Sequence, residues 1–288
     1  MTALFALATS LLWGLADFGG GLLTRRTPAL TVVVVSQVIA AAVLGVIVAA
    51  TGGWSEAGPR LWFAVAAGVV GPMAMLCFYK ALALGPMGVV SPLGSLGVAV
   101  PVGVGLLAGE RPDLLQGAGV AVAVAGIVMA GGPQLRGAPV QRRAILLTLV
   151  AAFGFGTVMS LIAEASTTVT GLFLALFVQR LTNVAVGGGA LYVSVRRGGR
   201  ALPEDGGASA VRAALPALAF VGLADVAANG TYAMAAQHGP VTVAAVLASL
   251  YPVVTALAAR GFLRERLRGV QAAGAGLALV GTVLLATG

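Results

Sequence analysis

The chain is poor in charge and in the side chains that build most catalytic and metal sites. Only 9% of its 288 residues are charged, whereas a soluble domain carries roughly 25%. The single cysteine, Cys77, excludes an internal disulfide and a multi-thiolate metal site. The single lysine, Lys80, follows Tyr79 rather than glycine, which excludes a phosphate-binding P-loop, and one histidine excludes a His-Glu-X-X-His zinc motif. We therefore expect no catalytic residues, no metal, no cofactor and no ATP-driven activity from this chain alone.

Long apolar runs make up most of the sequence. Hydrophobic residues account for 59% of the chain and the mean hydropathy is +1.02, values typical of an integral membrane protein. Ten helices of about 20 residues use roughly 200 positions and leave no room for a separate soluble domain. The runs between charged, glycine and proline positions predict ten helices, over residues 3–23, 29–51, 60–83, 86–107, 113–131, 143–165, 169–194, 213–236, 239–260 and 268–287.

Short motifs return along the chain at a nearly constant displacement. Glu110 and Glu265, each in a short charged turn, are 155 residues apart, and Gly85-Pro86 returns as Gly239-Pro240 after 154 residues. These recurrences indicate a duplicated unit of five helices. The predicted first repeat, linker and second repeat are residues 1–131, 132–142 and 143–288.

An odd number of helices in each copy determines how the copies enter the membrane. After five crossings the chain emerges on the opposite side, so the second copy must start from there. The predicted fold class is therefore an all-α integral membrane protein with ten transmembrane helices arranged as two inverted five-helix repeats. This geometry places equivalent helices around a shared region that can open to either face, as alternating access requires.

The net charge of +8 is best explained by membrane topology rather than by nucleic-acid binding. Thirteen arginines lie in the connectors after odd-numbered helices, whereas the other connectors contain Arg60 and Arg111. Because cytoplasmic loops are enriched in Lys and Arg, the arginine-rich side is predicted to be cytoplasmic. We expect a multi-pass plasma-membrane protein with both termini outside.

The ten spans, the Gly-Pro that opens the fourth helix of each copy, and the Glu-containing turns followed by Gln and spaced glycines resemble the EamA branch of the drug/metabolite transporter superfamily. The resemblance covers nearly the whole chain. It implies a secondary carrier of small organic molecules, commonly an exporter, with a cavity between the two halves. Members of that family are often drawn with cytoplasmic termini, so the external termini predicted here are a departure.

A charge near the centre of a bilayer costs at least about 2.5–3.5 kcal/mol, so ionisable residues within spans are the natural site candidates. Asp225 lies in the middle of predicted helix 8 and shares one helical face with Asn229 and Tyr232. The three side chains either line a cavity in which Asp225 binds a proton or a cationic substrate, or Asp225 is a structural carboxylate paired with Arg180.

Arg180 lies near the middle of predicted helix 7 beside two amide side chains. Gln179 precedes it, and Asn183 follows Gln179 by four residues on the same face. The guanidinium of Arg180 is permanently charged, and it can bind a carboxylate or phosphate of the substrate or act as a fixed counter-ion for an aspartate. Gln37 is the repeat equivalent of Gln179, 142 residues earlier, and joins the predicted cavity lining.

Asp17 follows Trp13 by one turn on predicted helix 1. An aromatic surface beside a carboxylate suits a cationic or amphipathic ligand, and Asp17 is, with Asp225, a candidate for proton or ion coupling. The alternative is that Asp17 lies at a helix end near the glycine run at 19–21 and that Trp13 is ordinary packing.

Helices 4 and 9 carry prolines at similar positions, which free backbone acceptors and bend helices. Ser95 in helix 4, and Ser249 and Tyr251 in helix 9, can satisfy those freed groups or face the transported molecule. We include all three in the predicted substrate site.

The combined interpretation is a secondary active transporter that exports a small organic metabolite or drug-like solute, in exchange for protons, by alternating access. Its partners are a small-molecule substrate, protons and membrane lipid, with no nucleic acid, and the chain acts as a monomer or homodimer. The alternative is a membrane enzyme that acts on lipid-borne substrates, or a helix-bundle scaffold. Ionisable residues scattered through the middle of the membrane favour the transporter.

Overall fold

The computed structural model describes residues 1–100, 114–131, 141–238, 247–248, 250–265 and 269–287. These residues are nearly all helical and include no strand. Two short 3-10 segments, Gly53–Glu56 and Ser95–Val98, accompany the helices. The α-helices are α1 Thr2–Thr24, α2 Ala29–Thr51, α3 Leu61–Leu84, α4 Met87–Gly94, α5 Leu114–Gly131, α6 Arg142–Ala165, α7 Val169–Arg196, α8 Gly207–Gln237, α9 Tyr251–Leu263 and α10 Gly269–Thr287.

The all-helical membrane architecture predicted from the sequence is confirmed. Six of these helices, α1 to α3 and α6 to α8, are long and apolar enough to cross a membrane, and the others are shorter apolar helices. Helix 4 is predicted as one helix over residues 86–107, whereas α4 tightens into a 3-10 turn at Ser95 after Pro92, which removes a backbone donor. The chain is α-helical again at residues 99 and 100, and the predicted end at residue 107 lies outside the described residues. The helical start predicted at residue 239 and the turn at Glu110 lie outside the described residues.

The contacts between α2 and its repeat equivalent α7 show that the two copies are inverted. Gln37 on α2 meets Arg180 on α7, and Gly45, farther along α2, lies against Phe177, earlier on α7. The two helices are therefore antiparallel, so equivalent helices cross the membrane in opposite directions. The prediction of inverted repeats is confirmed.

Glycines at equivalent positions make equivalent close contacts in both copies. Gly14 on α1 lies against Tyr251 and Val254, and Gly156 on α6 lies against Gly97 and Val100. Gly14 and Gly156 are 142 residues apart, and each of their partner pairs is separated by 154 residues. The same interhelical contact is thus built twice, which gives the bundle a pseudo-two-fold axis relating its halves.

An apolar layer packs the bundle at its arginine-rich end. It draws on the last two turns of α1 and α3, on the first turns of α2 and α4 and on the middle of α8, and includes Phe18, Val32, Phe78, Leu82, Met87 and Val221, all buried. Because these residues come from both repeats, the layer joins the two halves.

The packing at Gly222 generates a prediction. A Cβ at this position of α8 would lie 2.5 Å from the backbone oxygen of Ser36 on α2, which cannot rotate away. We expect Gly222→Ala to separate the two helices and to lower the unfolding free energy by about 1–3 kcal/mol, measured by thermal unfolding in detergent.

Gly189→Ala is the matched control, because nothing lies within 4 Å of a Cβ at that helical position. Alanine there should leave stability unchanged or raise it by up to about 1 kcal/mol through its better helix propensity. Equal unfolding midpoints for the two variants would contradict the close α2–α8 contact.

Candidate functional site

A buried arginine links three helices in the middle of the bundle. Nη1 of Arg180 on α7 donates a hydrogen bond of 2.9 Å to Oε1 of Gln37 on α2, and Nη2 forms an ion pair with Oδ2 of Asp225 on α8. Asn183, one turn along α7, donates a second hydrogen bond of 2.9 Å to the same Gln37 oxygen. Because α2 belongs to the first repeat and α7 and α8 to the second, the network crosses the interface between the repeats.

The network is almost dry, and it retains unused hydrogen-bonding capacity. Arg180 is 7% exposed, and Gln37 and Asn183 are each 1% exposed. Nε of Arg180, Oε1 of Gln179 and Oδ1 of Asn183 are buried without a hydrogen-bond partner among the described residues. Buried polar groups in proteins are normally paired, and those left unpaired often belong to functional sites.

The polar stripe on α8 faces the interior and is nevertheless accessible. The outward face of the helix carries the exposed side chains of Phe220, Leu223 and Met234. Asp225 follows Leu223 by two residues, which at 100° per residue places it about 200° around the helix axis, on the inward face. The Asp225 side chain is 26% exposed, and Asn229 and Tyr232 are partly exposed on the same interior face. Their accessible surface therefore faces the neighbouring helices of the bundle rather than lipid.

The same geometry holds on α1. Leu7 and Leu11 are exposed on the outward face, whereas Trp13 lies about 200° from Leu11 and Asp17 follows Trp13 on the inward face. Trp13 and Asp17 are both partly exposed. The inward faces of α1 and α8 thus both border the interior site, in agreement with the extensive packing of the two helices against each other.

Three aromatic rings meet beside Asp17. The ring centroid of Trp13 lies 6.0 Å from that of Tyr232 on α8 and 6.1 Å from that of Tyr251 on α9, the latter in an edge-to-face arrangement. The ring of Tyr79 on α3 packs directly against the backbone of Gly20 on α1, and a Cβ added to Gly20 would lie 2.5 Å from that ring. The Tyr79 side chain is also close enough to Asp17 and Asp225 for electrostatic interaction.

Asp17 itself makes no hydrogen bond or ion pair with the described residues, and its main electrostatic neighbour is the carboxylate of Asp225. Arg180 supplies one positive charge to these two aspartates. The interior site therefore carries one more negative than positive charge when both carboxylates are ionised. Among the described residues, no three His, Cys, Asp or Glu side chains are grouped as a metal site would require.

Glu265 holds three helices together at the arginine-rich end. Its Oε2 accepts a hydrogen bond of 2.9 Å from the backbone N–H of Met87 at the start of α4, and its Oε1 lies 3.1 Å from Nη2 of Arg25 after α1. Arg264, which ends α9, adopts a left-handed conformation with φ +53° and turns Glu265 towards these partners. A surface recess of about 390 Å³ adjoins this contact.

The comparisons with known proteins agree with this arrangement of repeated helices. The EamA-like transporter family matches residues 1–132 and 142–287, which is nearly the whole chain. The chain belongs to the EamA-like transporter family. Its members are membrane proteins and generally transport small molecules.

One solved structure, titled only "Crystal structure of protein", superposes with a TM-score of 0.61. It shares 19% sequence identity with this EamA protein, and the match covers 99% of this chain and 97% of that chain. At this identity the likeness concerns the fold alone. No curated protein matches the sequence.

The structure of this EamA protein brings together most of the residues proposed from the sequence. Ser95 lies apart from them, since its hydroxyl donates to the carbonyl of Pro92 at 2.8 Å and contacts Thr282 on α10 at 3.1 Å. Ser249 lies outside the described residues. The residues that meet at the interior site are Trp13, Asp17, Gln37, Gln179, Arg180, Asn183, Asp225, Asn229, Tyr232 and Tyr251.

Sequence reasoning missed two members of the site region. Tyr79 was overlooked because a tyrosine in an apolar span usually packs in the core. Glu265 was recognised as a repeat marker rather than as a contact residue. The signal available in the sequence was the recurrence of Glu265 with Glu110 and of the Gly-Pro that precedes helix 4. The first N–H groups of a helix have no acceptor within it, so a carboxylate can accept a hydrogen bond from one of them.

The buried ion pair generates a prediction about stability. Arg180→Gln leaves the Asp225 carboxylate without its counter-ion, and removing one partner of a buried pair costs about 3 kcal/mol. The double variant Arg180→Gln with Asp225→Asn removes both charges, so we expect its loss to be at least about 1 kcal/mol smaller than the sum of the single losses. Unfolding of all four proteins in detergent measures this coupling.

Arg200 and Glu204 provide the control, because they form an ion pair in which both side chains are largely exposed. The corresponding cycle, with both replaced by Gln, should give a coupling below about 1 kcal/mol. A coupling no larger at Arg180 and Asp225 than in the control would show that the interior pair does not stabilise the fold.

Proposed function

We propose that this protein is a secondary active transporter that exports a small organic solute in exchange for protons by alternating access. The observation that supports the proposal best is the network of Arg180, Gln37 and Asp225, which joins the inverted repeats inside the bundle. Charged groups are costly within a membrane and are retained there mainly for transport or proton transfer. Two repeats that rock against each other around this network would expose it to one face and then to the other.

In this proposal the structure corresponds to a state closed at the arginine-rich end. The apolar layer around Phe78 and Leu82 blocks access there, and Glu265 fastens the ends of α1 and α9 to the start of α4. Opening that end requires the Glu265 contacts to break. The sequence repeat assigns the equivalent position in the first copy to Glu110, which lies outside the described residues.

Asp17 is the residue best suited to carry the coupling proton. Asp225 has a fixed counter-ion in Arg180, whereas Asp17 has none among the described residues. A carboxylate that is not held in an ion pair can bind and release a proton without breaking such a pair. We therefore assign proton binding to Asp17 and the positioning of the arginine to Asp225.

The alternative of a membrane enzyme or scaffold has less support. An enzyme for lipid-borne substrates would gather its ionisable groups near one membrane surface, whereas Asp17, Arg180 and Asp225 lie in the middle of their helices. A scaffold would have no reason to leave the inward faces of α1 and α8 accessible. Both alternatives predict that the interior is not reached from the two faces in turn.

We also propose that the arginine-rich end is cytoplasmic and that the protein lies in the plasma membrane. In a Cys77→Ala background, Ala57→Cys in the α2–α3 connector and Ala208→Cys in the first turn of α8 place thiols at exposed positions on opposite ends. We expect a membrane-impermeant maleimide to label position 57 in intact cells and position 208 only after permeabilisation. The reverse pattern would invert the proposed orientation.

Alternating access generates a prediction that uses Glu265. In the Cys77→Ala background, Asn229→Cys should react with a small impermeant thiol reagent from both faces, with the outer face dominant. Adding Glu265→Ala removes a charge-assisted contact worth about 1.5 kcal/mol, so reaction from the arginine-rich face should rise roughly tenfold. The rate is measured in oriented membrane vesicles.

Glu204→Ala is the control on the same face, because Glu204 takes part in an exposed ion pair that contributes little energy. It should leave the labelling rate of position 229 unchanged. A cysteine at position 229 that reacts from one face only in every variant, or from neither face, would exclude alternating access at this site.

A further inference from the structure

The charges of the interior site do not balance. Asp17 and Asp225 contribute two carboxylates and Arg180 contributes one guanidinium. The other charged residues in the long helices are exposed near helix ends, and they are Lys80, Arg142, Arg143, Glu164, Arg196 and Arg212. An unbalanced negative charge inside a membrane bundle is costly, so the site requires one further positive charge whenever both aspartates are ionised.

Arg180 is poorly placed to receive an anionic substrate. Its two terminal nitrogens already contact Asp225 and Gln37, and the residue is 7% exposed. An incoming carboxylate or phosphate would have to displace the Asp225 carboxylate and would add a second uncompensated negative charge. The electrostatics of the site therefore oppose an anion and favour a cation.

The surroundings of Asp17 are apolar and aromatic on one side. Trp13 precedes Asp17 by one turn, and the rings of Tyr232 and Tyr251 flank Trp13 at centroid distances of 6.0 and 6.1 Å. The negative face of an aromatic ring attracts an organic cation, and the attraction grows when the site excludes water. A small inorganic cation would gain little from these rings, because the oxygen ligands it needs are few.

We propose that Asp17, Trp13, Tyr232 and Tyr251 form a binding site for an organic cation that carries an amine or quaternary ammonium group next to an apolar or aromatic body. The proposal rests on the transport function given above and specifies its substrate class. In this proposal the ammonium group binds against Asp17 and the body packs against the accessible surface of Trp13 and the neighbouring tyrosines. The cation and the coupling proton occupy Asp17 alternately, so that one is released when the other binds.

Few other titratable or charged groups face Asp17 in the described helices packed around α1. They are Asp225 on α8, Tyr79 on α3 and Tyr251 on α9, and Tyr232 on α8 contacts the neighbouring Trp13. The described parts of α2 and α4 contribute none. Asp17 is thus the one carboxylate of this group without a cationic partner, and exchange of its proton is the step to measure.

Three compounds with the same indole body and different charges test the proposal directly. Tryptamine is a cation, tryptophol is neutral and indole-3-acetate is an anion. We expect tryptamine to raise the melting temperature of the purified full-length protein and the other two compounds to leave it nearly unchanged. Tryptamine binding should also release protons into a weakly buffered solution at mildly acidic pH.

Two substitutions with matched controls identify the residues responsible. Asp17→Asn should weaken tryptamine binding by on the order of tenfold or more and abolish proton release, whereas Asp205→Asn in the exposed α7–α8 connector should change neither. Trp13→Leu retains the carboxylate and should weaken binding about fivefold to tenfold, whereas Trp54→Leu at the membrane surface should not. If Asp17→Asn does not fold, Trp13→Leu and proton release by the unaltered protein still decide the proposal.

The outcomes separate this proposal from the transport function. Stabilisation by indole-3-acetate but not by tryptamine, no stabilisation by tryptamine, or tryptamine binding without proton release would each overturn the organic-cation site. In those cases two-sided labelling of position 229 would still support a transporter. Failure of that labelling, with tryptamine binding intact, would leave a cation-binding protein that does not transport.

Discussion

The structure depends on the neutralisation of one guanidinium inside an apolar bundle. Arg180 cannot lose its charge in a protein, so the helices around it must supply acceptors. Asp225 supplies an ion pair and Gln37 supplies a hydrogen bond, and they come from different repeats. The two halves are consequently held in register where Gln37 of the first repeat meets Arg180 of the second. The proposed transport requires the surrounding apolar contacts to slide or part without unfolding the protein.

Small residues make such sliding interfaces possible. In lipid, helices associate through close backbone packing rather than through the hydrophobic effect. Gly14 and Gly156, and likewise Gly68 and Gly222, occupy equivalent positions in the repeats and bring neighbouring helices into close contact. These close approaches join helices of different repeats, which pack against each other more than against helices of their own repeat. In the proposed transport cycle the polar contacts across these interfaces must also break, and Glu265 makes the clearest of them in the described residues.

The helical architecture followed from the sequence because its signals are strong and repeated: long apolar runs, and motifs that return at nearly constant displacement. The pairing of Arg180 with Asp225 was one of two alternatives, since spacing along separate helices does not determine which groups meet. The 3-10 turn that follows α4 was missed because one proline in an apolar run does not reveal where a helix tightens. The contact of Glu265 with Met87 was missed because it depends on a left-handed residue, Arg264, where helices usually carry glycine.

The duplication repeats the scaffold but not the chemistry. The repeat equivalents of Trp13 and Asp17, 142 residues later in the chain, are Phe155 and Met159. The repeat equivalent of Asp225, 154 residues earlier, is Gly71. The ionisable groups therefore occur once, to one side of the pseudo-two-fold axis, whereas Gln37 and Gln179 recur in both copies. A symmetric scaffold provides two states of similar energy, which alternating access needs. A single off-axis charge site adds the asymmetry through which occupancy by a proton or a cation can bias those states.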